Sequence, residues 1–195
     1  MIILASASPR RREILASLGV DFKIITADTD EHSSITDPEE LAEELAVRKG
    51  RAVYELLCRT EPDMAKDAVI ISADTVVYAQ GEVLGKPRDH ADAFRMLRSL
   101  SGSSHCVVSG IAVTVGGDVH SDRCVTRVNV EDIPEKSLIA YADSDEPMDK
   151  AGAYAIQGRF APWVRSIEGC YQNVVGLPVN HLNKLFFEAT GKYLV

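Results

Sequence analysis

The sequence predicts an α/β protein with a mixed sheet, and three features carry that prediction. Segments with helical spacing alternate with short β-branched runs along the 195 residues. Residues 68–79, AVIISADTVVYA, form a continuous apolar run of the kind that fills a strand buried on both faces. Gly116-Gly117-Asp118 separates two alternating runs and signals a hairpin. The length suits one domain, residues 1–195, or two closely joined lobes.

Met1 to Ala5 is an apolar run that reads as the first strand. Ser8 is then placed to cap a helix, Pro9 suits its first position, and Gly19 is placed to end it. Residues 22–27, FKIITA, read as a second strand, and 28–37 as a polar loop. Residues 36–59 read as a long helix capped by Thr36 or Asp37, with Pro38 first and Glu39 and Glu40 in the opening turn. After the buried run comes an amphipathic helix over 89–102, capped by Asp89 and ended near Gly102. The Gly116-Gly117 hairpin precedes a helix over 134–144. Residues 162–175 read as a second hairpin turning at Glu168-Gly169, and 178–190 as a closing helix.

Composition narrows the function classes. The formal net charge is −8, with 46% apolar and 26% charged residues. That balance argues against a general binder of nucleic acid or of membrane surfaces. No stretch approaches the ~20 apolar residues of a membrane span, and the five-residue N-terminal run is too short for a signal peptide. The cysteines at 58, 106, 124 and 170 have no C-x-x-C or zinc-like spacing, which fits reduced thiols and a cytoplasmic protein.

Against this acidic background Arg10, Arg11 and Arg12 stand out, because they occupy the first turn of the first helix, at the positive end of its dipole. Each cation there costs about 0.3–1 kcal/mol. At 100° per residue Arg11 shares the apolar face of Ile14, Leu15 and Leu18, Arg10 lies at its edge, and Arg12 points away. An internal salt bridge for Arg11, or three frayed surface charges, would be the ordinary explanations. The alternative is that Arg10 and Arg11, with open backbone N–H groups and the hydroxyls of Ser6 and Ser8, face a polyanion such as phosphate.

Other charges are misplaced too. Lys49 falls inside the stripe of Leu41, Leu45, Ala52, Val53 and Leu56, where snorkelling to solvent is the ordinary fate. Asp74, with Thr75 next to it, interrupts the buried run. It either closes a turn at a strand end, or serves as a metal ligand or general base at the carboxyl edge of the sheet. Residues 81–89, GEVLGKPRD, imitate a P-loop but fail its spacing, and Pro87 lacks a donor; Lys86 can still reach a phosphate as a point charge. Asp30 and Glu31 read as solvated loop acids, and His105 as the start of a strand with a local hydrogen bond.

Together, SASPRR (6–11), ADT (73–75), GKP (85–87) and DKAGAYAIQG (149–158) resemble the Maf family of nucleotide pyrophosphatases, with similarity over nearly the whole chain. The resemblance implies an elongated α/β fold of two lobes with a cleft between them, related to inosine triphosphate pyrophosphatases and often homodimeric. It implies hydrolysis of nucleoside triphosphates to monophosphate and pyrophosphate with a divalent cation, Mg or Mn. By motif, Asp74 would be the catalytic base or a metal-linked carboxylate, with Glu31 as a second acid near the metal. Ser8, Arg11, Lys49 and Lys86 would hold the phosphates, and Arg10, Thr75 and Gln157 would select the base.

Gln157 resembles the branch acting on dTTP and UTP, including modified pyrimidine nucleotides. A glutamine amide offers one donor group and one acceptor, which suits the N3–H and carbonyls of uracil and thymine. Ala155 stands where the family pattern leads to glycine. Two rival readings stay open: the same chemistry on another base such as 7-methyl-GTP, or a nucleotide-binding regulator of cell division.

Overall fold

A computed structural model describes residues 1–195. The strands are β1 (Ile2–Leu4), β2 (Phe22–Ile24), β3 (Val69–Ala79), β4 (Glu82–Leu84), β5 (Ser104–Val115), β6 (Asp118–Val130) and β7 (Val164–Glu168). The helices are α1 (Pro9–Ser17), α2 (Pro38–Thr60), α3 (Pro62–Asp67), α4 (His90–Leu100), α5 (Glu135–Ala142), α6 (Tyr171–Val175) and α7 (Val179–Thr190). The strands form one mixed sheet in the order β2-β1-β3-β5-β6-β7, with β4 paired to β3. β1 lies parallel to both β2 and β3, whereas β4 on β3 and β7 on β6 are antiparallel. No helix is long and apolar enough to cross a membrane.

The chain forms two compact units. The first comprises Met1–Asp74, Ser109–Cys124 and Gly176–Val195; the second comprises Thr75–Val108 and Val125–Val175.

In the first unit, strand alternation sorts the core onto two faces. Leu4, Ile71 and Ala73 pack with Leu15 of α1 and Leu182, Leu185 and Phe186 of α7. Ile3, Ala5 and Ile70 pack with Val53 and Leu57 of α2 and Ala65 of α3. Ser72 and Asp74 follow Ile70 at steps of two, so they share the face of α2; Ser72 Oγ donates to the Ala46 carbonyl there at 2.7 Å. Two glycines bring α2 close to the sheet. A Cβ on Gly110 of β5 would lie 2.1 Å from the Ala42 carbonyl oxygen, and one on Gly50 would lie 2.8 Å from Ser72 Oγ. A methyl group has no room at either place, so helix backbone rests almost on strand.

The capping side chains of α2 and α4 act where the sequence puts them. Asp37 accepts from the N–H groups of Glu39 and Glu40 at 2.9 and 3.0 Å, and Asp89 accepts from Asp92 at 2.7 Å. Gly116 and Gly117 both have positive φ, 59° and 94°, as a two-residue hairpin turn requires. Two short elements, α3 and β4, go beyond the sequence reading.

In the second unit the reading of 162–175 as a hairpin is corrected. β7 pairs with β6, and after Gly169 the chain enters α6 instead of returning as a strand. Thr126 of β6 captures the turn: its hydroxyl donates to the Cys170 carbonyl at 3.1 Å and accepts from the Cys170 N–H at 3.0 Å. Buried Asn173 donates to the Val107 carbonyl and to Thr126 Oγ1, both at 3.0 Å. These non-local bonds give α6 its place against the sheet.

Candidate active site

The first unit gathers four charged side chains at the carboxyl end of β1 and the middle of β3. The first is Asp74, 9% exposed, on the face that α2 covers. Lys49, one residue before the close-packed Gly50, donates to Asp74 Oδ1 at 2.5 Å and to Glu31 Oε1 at 2.7 Å. It therefore does not snorkel to solvent; its ammonium is bracketed by two carboxylates. Glu31 in turn is not a merely solvated loop acid. Arg48, the neighbour of Lys49, donates to the carbonyls of Asp30 and His32 at 3.0 and 2.8 Å, fixing the loop on both sides of Glu31.

Arg11 reaches the same region from α1. Its Nε donates to the Gly176 carbonyl at 2.8 Å and its Nη1 to Ser6 Oγ at 3.1 Å. Burial pushes the guanidinium pKa below its ordinary value; the nearby Asp74 and Glu31 charges oppose that shift and the Arg10 charge adds to it. The three arginines thus stand at an N-terminus with no acidic residue in its first turn and no side-chain cap, since Ser8 makes no capping bond. The Ser8 N–H donates instead to Ser6 Oγ at 3.3 Å. Ser6 is the residue whose role the sequence reading understated: buried, it anchors both Arg11 and the chain entering α1. The sequence placed its hydroxyl beside the arginines but gave no sign that it would hold Arg11 itself.

The second unit carries Thr75, Lys86 and Gln157. Lys86 comes after β4 in an exposed loop. Just after it, Arg88 N–H donates to Asp92 Oδ2 at 3.2 Å, and that bond holds the buried Asp92 carboxyl below the usual carboxylate range, with help from the Arg95 and Arg88 side chains. Just before it, the Gly85 carbonyl accepts from Gly152 N–H at 3.0 Å, joining GKP to DKAGAYAIQG. Gly152 has φ 67°, and a Cβ there would come within 2.9 Å of Val77, two residues along β3 from Thr75. The positive-φ positions of this stretch are Gly152, Ala153 and Gly158, not Ala155, so alanine at 155 needs no unusual backbone. Gln157 itself is exposed.

His105 differs from its expected local role. It is buried, and its Nε2 lies 2.7 Å from the hydroxyl of Tyr154, 49 residues away. Burial pushes its pKa down to about 4. All four cysteines are free thiols.

The chain is similar to known proteins over nearly its whole length. Residues 1–189 match the family model described as Maf-like protein. A protein named dTTP/UTP pyrophosphatase from Thermococcus kodakarensis is 48% identical over 185 residues, covering 95% of each chain. Relatives of the same name from Pelotomaculum thermopropionicum and Clostridium novyi are 46% identical over 188 residues and 44% identical over 190. The first covers 93% of this chain and 92% of the relative, the second 95% of each.

Proposed function

Because the chain belongs to the Maf-like protein family, we propose that it is a nucleoside triphosphate pyrophosphatase, hydrolysing dTTP and UTP to the monophosphate and pyrophosphate as its relatives' name describes. The observation that carries this reading is the Lys49 ammonium held between Asp74 and Glu31 beside Arg11. Cations and acids packed together over the middle of a strand are expensive unless a ligand uses both. A polyphosphate attacked by water is such a ligand: it needs cations along its chain and a carboxylate for the nucleophile.

In this reading Asp74 orients a water and accepts its proton as the oxygen attacks the α-phosphorus, and pyrophosphate leaves. Arg11, tethered by Gly176 and Ser6, holds its guanidinium ready for phosphate oxygens. Lys49 has three donors, of which the two carboxylates use two. Ser8 and Lys86 add further phosphate contacts, while Arg10, Thr75 and Gln157 select the base.

The donor set fits a divalent cation. Asp74 and Glu31, which both contact the Lys49 ammonium, are hard carboxylates that would hold such an ion. Mg²⁺ and Mn²⁺ accept such ligands, and Mg²⁺ commonly takes only one or two protein carboxylates, adding water and substrate phosphate. When bound there, the ion would neutralise phosphate charge and polarise the α-phosphoryl group.

A nucleotide panel with Mg²⁺ or Mn²⁺, run on the protein and on Gln157→Glu, tests the proposal. dTTP and UTP should lead the wild-type ranking, and the carboxylate should demote them, having lost the amide donor. A purine triphosphate in first place, or an unchanged ranking in Gln157→Glu, would overturn it.

A further inference from the structure

Gln157 lies in an exposed segment, yet the backbone on both sides of it is tied to two side chains outside the motif. Ala155 N–H donates to Tyr141 Oη at 3.3 Å. Tyr141 O–H donates to Glu146 Oε1 at 3.1 Å, and the same Oε1 accepts from Arg159 N–H at 3.1 Å. One hydrogen-bonded line therefore runs from residue 155 through Tyr141 and Glu146 to residue 159, spanning Gln157.

Several facts make this brace stiff. Tyr141 is 5% exposed at the end of α5, and its ring packs against Phe160 at 5.4 Å between centroids. Phe160 also packs on Tyr154, at 4.7 Å. Burial raises the Tyr141 pKa, so the hydroxyl keeps its proton and can donate to Glu146 while accepting from Ala155. Gly158, at φ 100°, passes so close that a Cβ would lie 2.6 Å from Glu146 Oε1. Lys150 Nζ donates to the Glu146 carbonyl, fixing the acid from its backbone side.

We propose that Tyr141 and Glu146 are positioning residues for base selection, locking the backbone on either side of Gln157 so that its amide meets the pyrimidine edge in one orientation. The inference rests on the reading of Gln157 as the base-selecting residue. An exposed glutamine on a loose loop would have no fixed origin for its side chain and could reach either pattern of donors and acceptors. Discrimination against a base lacking the right edge depends on leaving a fixed polar group unpaired. The brace fixes the backbone from which that group projects.

The experiment measures kcat/KM for UTP and CTP, since cytosine reverses the donor and acceptor pattern at positions 3 and 4. Tyr141→Phe keeps the ring against Phe160 and removes only the hydroxyl. Glu146→Ala removes the shared acceptor, and Glu146→Gln restores an oxygen in its place. Tyr141→Phe and Glu146→Ala should each lower the UTP/CTP ratio by about tenfold, the scale expected from sub-ångström misplacement of a substrate-contacting group. Glu146→Gln should recover most of the ratio. Combined with Gln157→Ala, Tyr141→Phe should produce no further loss, because the brace acts only through that side chain.

A merely structural role would lower the melting temperature and reduce both substrates equally, leaving the ratio intact; that result overturns the proposal. Gln157→Ala separates the two levels of inference. If it abolishes discrimination while Tyr141→Phe and Glu146→Ala keep it, the brace fails and the role of Gln157 stands. If Gln157→Ala itself discriminates like the wild type, the base-selection reading fails and takes the brace with it.

Discussion

Two buried polar clusters, one in each unit, are built in opposite ways. In the first, Lys49, Asp74, Glu31 and Arg11 bring full charges together at a strand end, with Glu31 61% exposed at its side chain. In the second, His105 and Tyr154 meet as a neutral pair in the interior. Charge kept near water is poised for another charge; a neutral pair sealed away from water chiefly specifies packing. On the proposed function, the difference separates residues assigned to the reaction from residues that serve the fold.

The sharpest way to break that contrast is Asp74→Asn. In that variant kcat should fall by about 10³, the scale of losing a general base, while the circular dichroism spectrum stays that of a folded protein. A parallel loss of activity and fold would place Asp74 with the structural residues instead. Next in size is an effect of acid on the neutral pair. His105 is held near pKa 4 in the folded chain against an ordinary 6.5. The unfolded chain thus binds the proton first as pH falls, so this contribution is complete above pH 6.5 and lost between there and about 4. Denaturant titrations across that window should show a decline on the order of 3 kcal/mol. His105→Gln should flatten that part of the profile, and an unchanged slope would remove His105 as the cause.

The smallest effect tests the first helix against the second. α2 begins with Asp37, Glu39 and Glu40, while α1 begins with three arginines. Arg12 is exposed and, at 100° per residue, falls on the face of α1 opposite Arg11. Arg12→Glu should therefore stabilise the protein by about 0.3–1 kcal/mol, with kcat/KM for UTP unchanged. A tenfold loss of activity would show that Arg12, too, serves the phosphates.

Those helix starts also show how much was legible in the sequence. Asp37-Pro38, Asp89 and Gly116-Gly117 carry their structural meaning within a few residues, so the elements around them could be read directly. The misplaced charges could be found for the same reason: a cation in a first turn, a lysine in an apolar stripe and an aspartate in a buried strand each violate a local rule. Their partners could not be found locally. Lys49 meets Asp74 across 25 residues, His105 meets Tyr154 across 49, and Arg11 meets the Gly176 carbonyl across 165. The misread hairpin at 162–175 has the same origin. Gly169 does make a turn, but Thr126, far back in the chain, captures Cys170 and so sets a helix rather than a strand after it. Glu31 entered the reading through family resemblance, and Tyr141 and Glu146 gave no signal beyond a tyrosine on a helix and an acid in a loop.

The most direct test of the central claim is hydrolysis of UTP in ¹⁸O-labelled water, with the products read by mass spectrometry. Water directed by Asp74 at the α-phosphorus predicts UMP carrying the label and unlabelled pyrophosphate. Label in the pyrophosphate, or UDP and phosphate as products, would contradict the account.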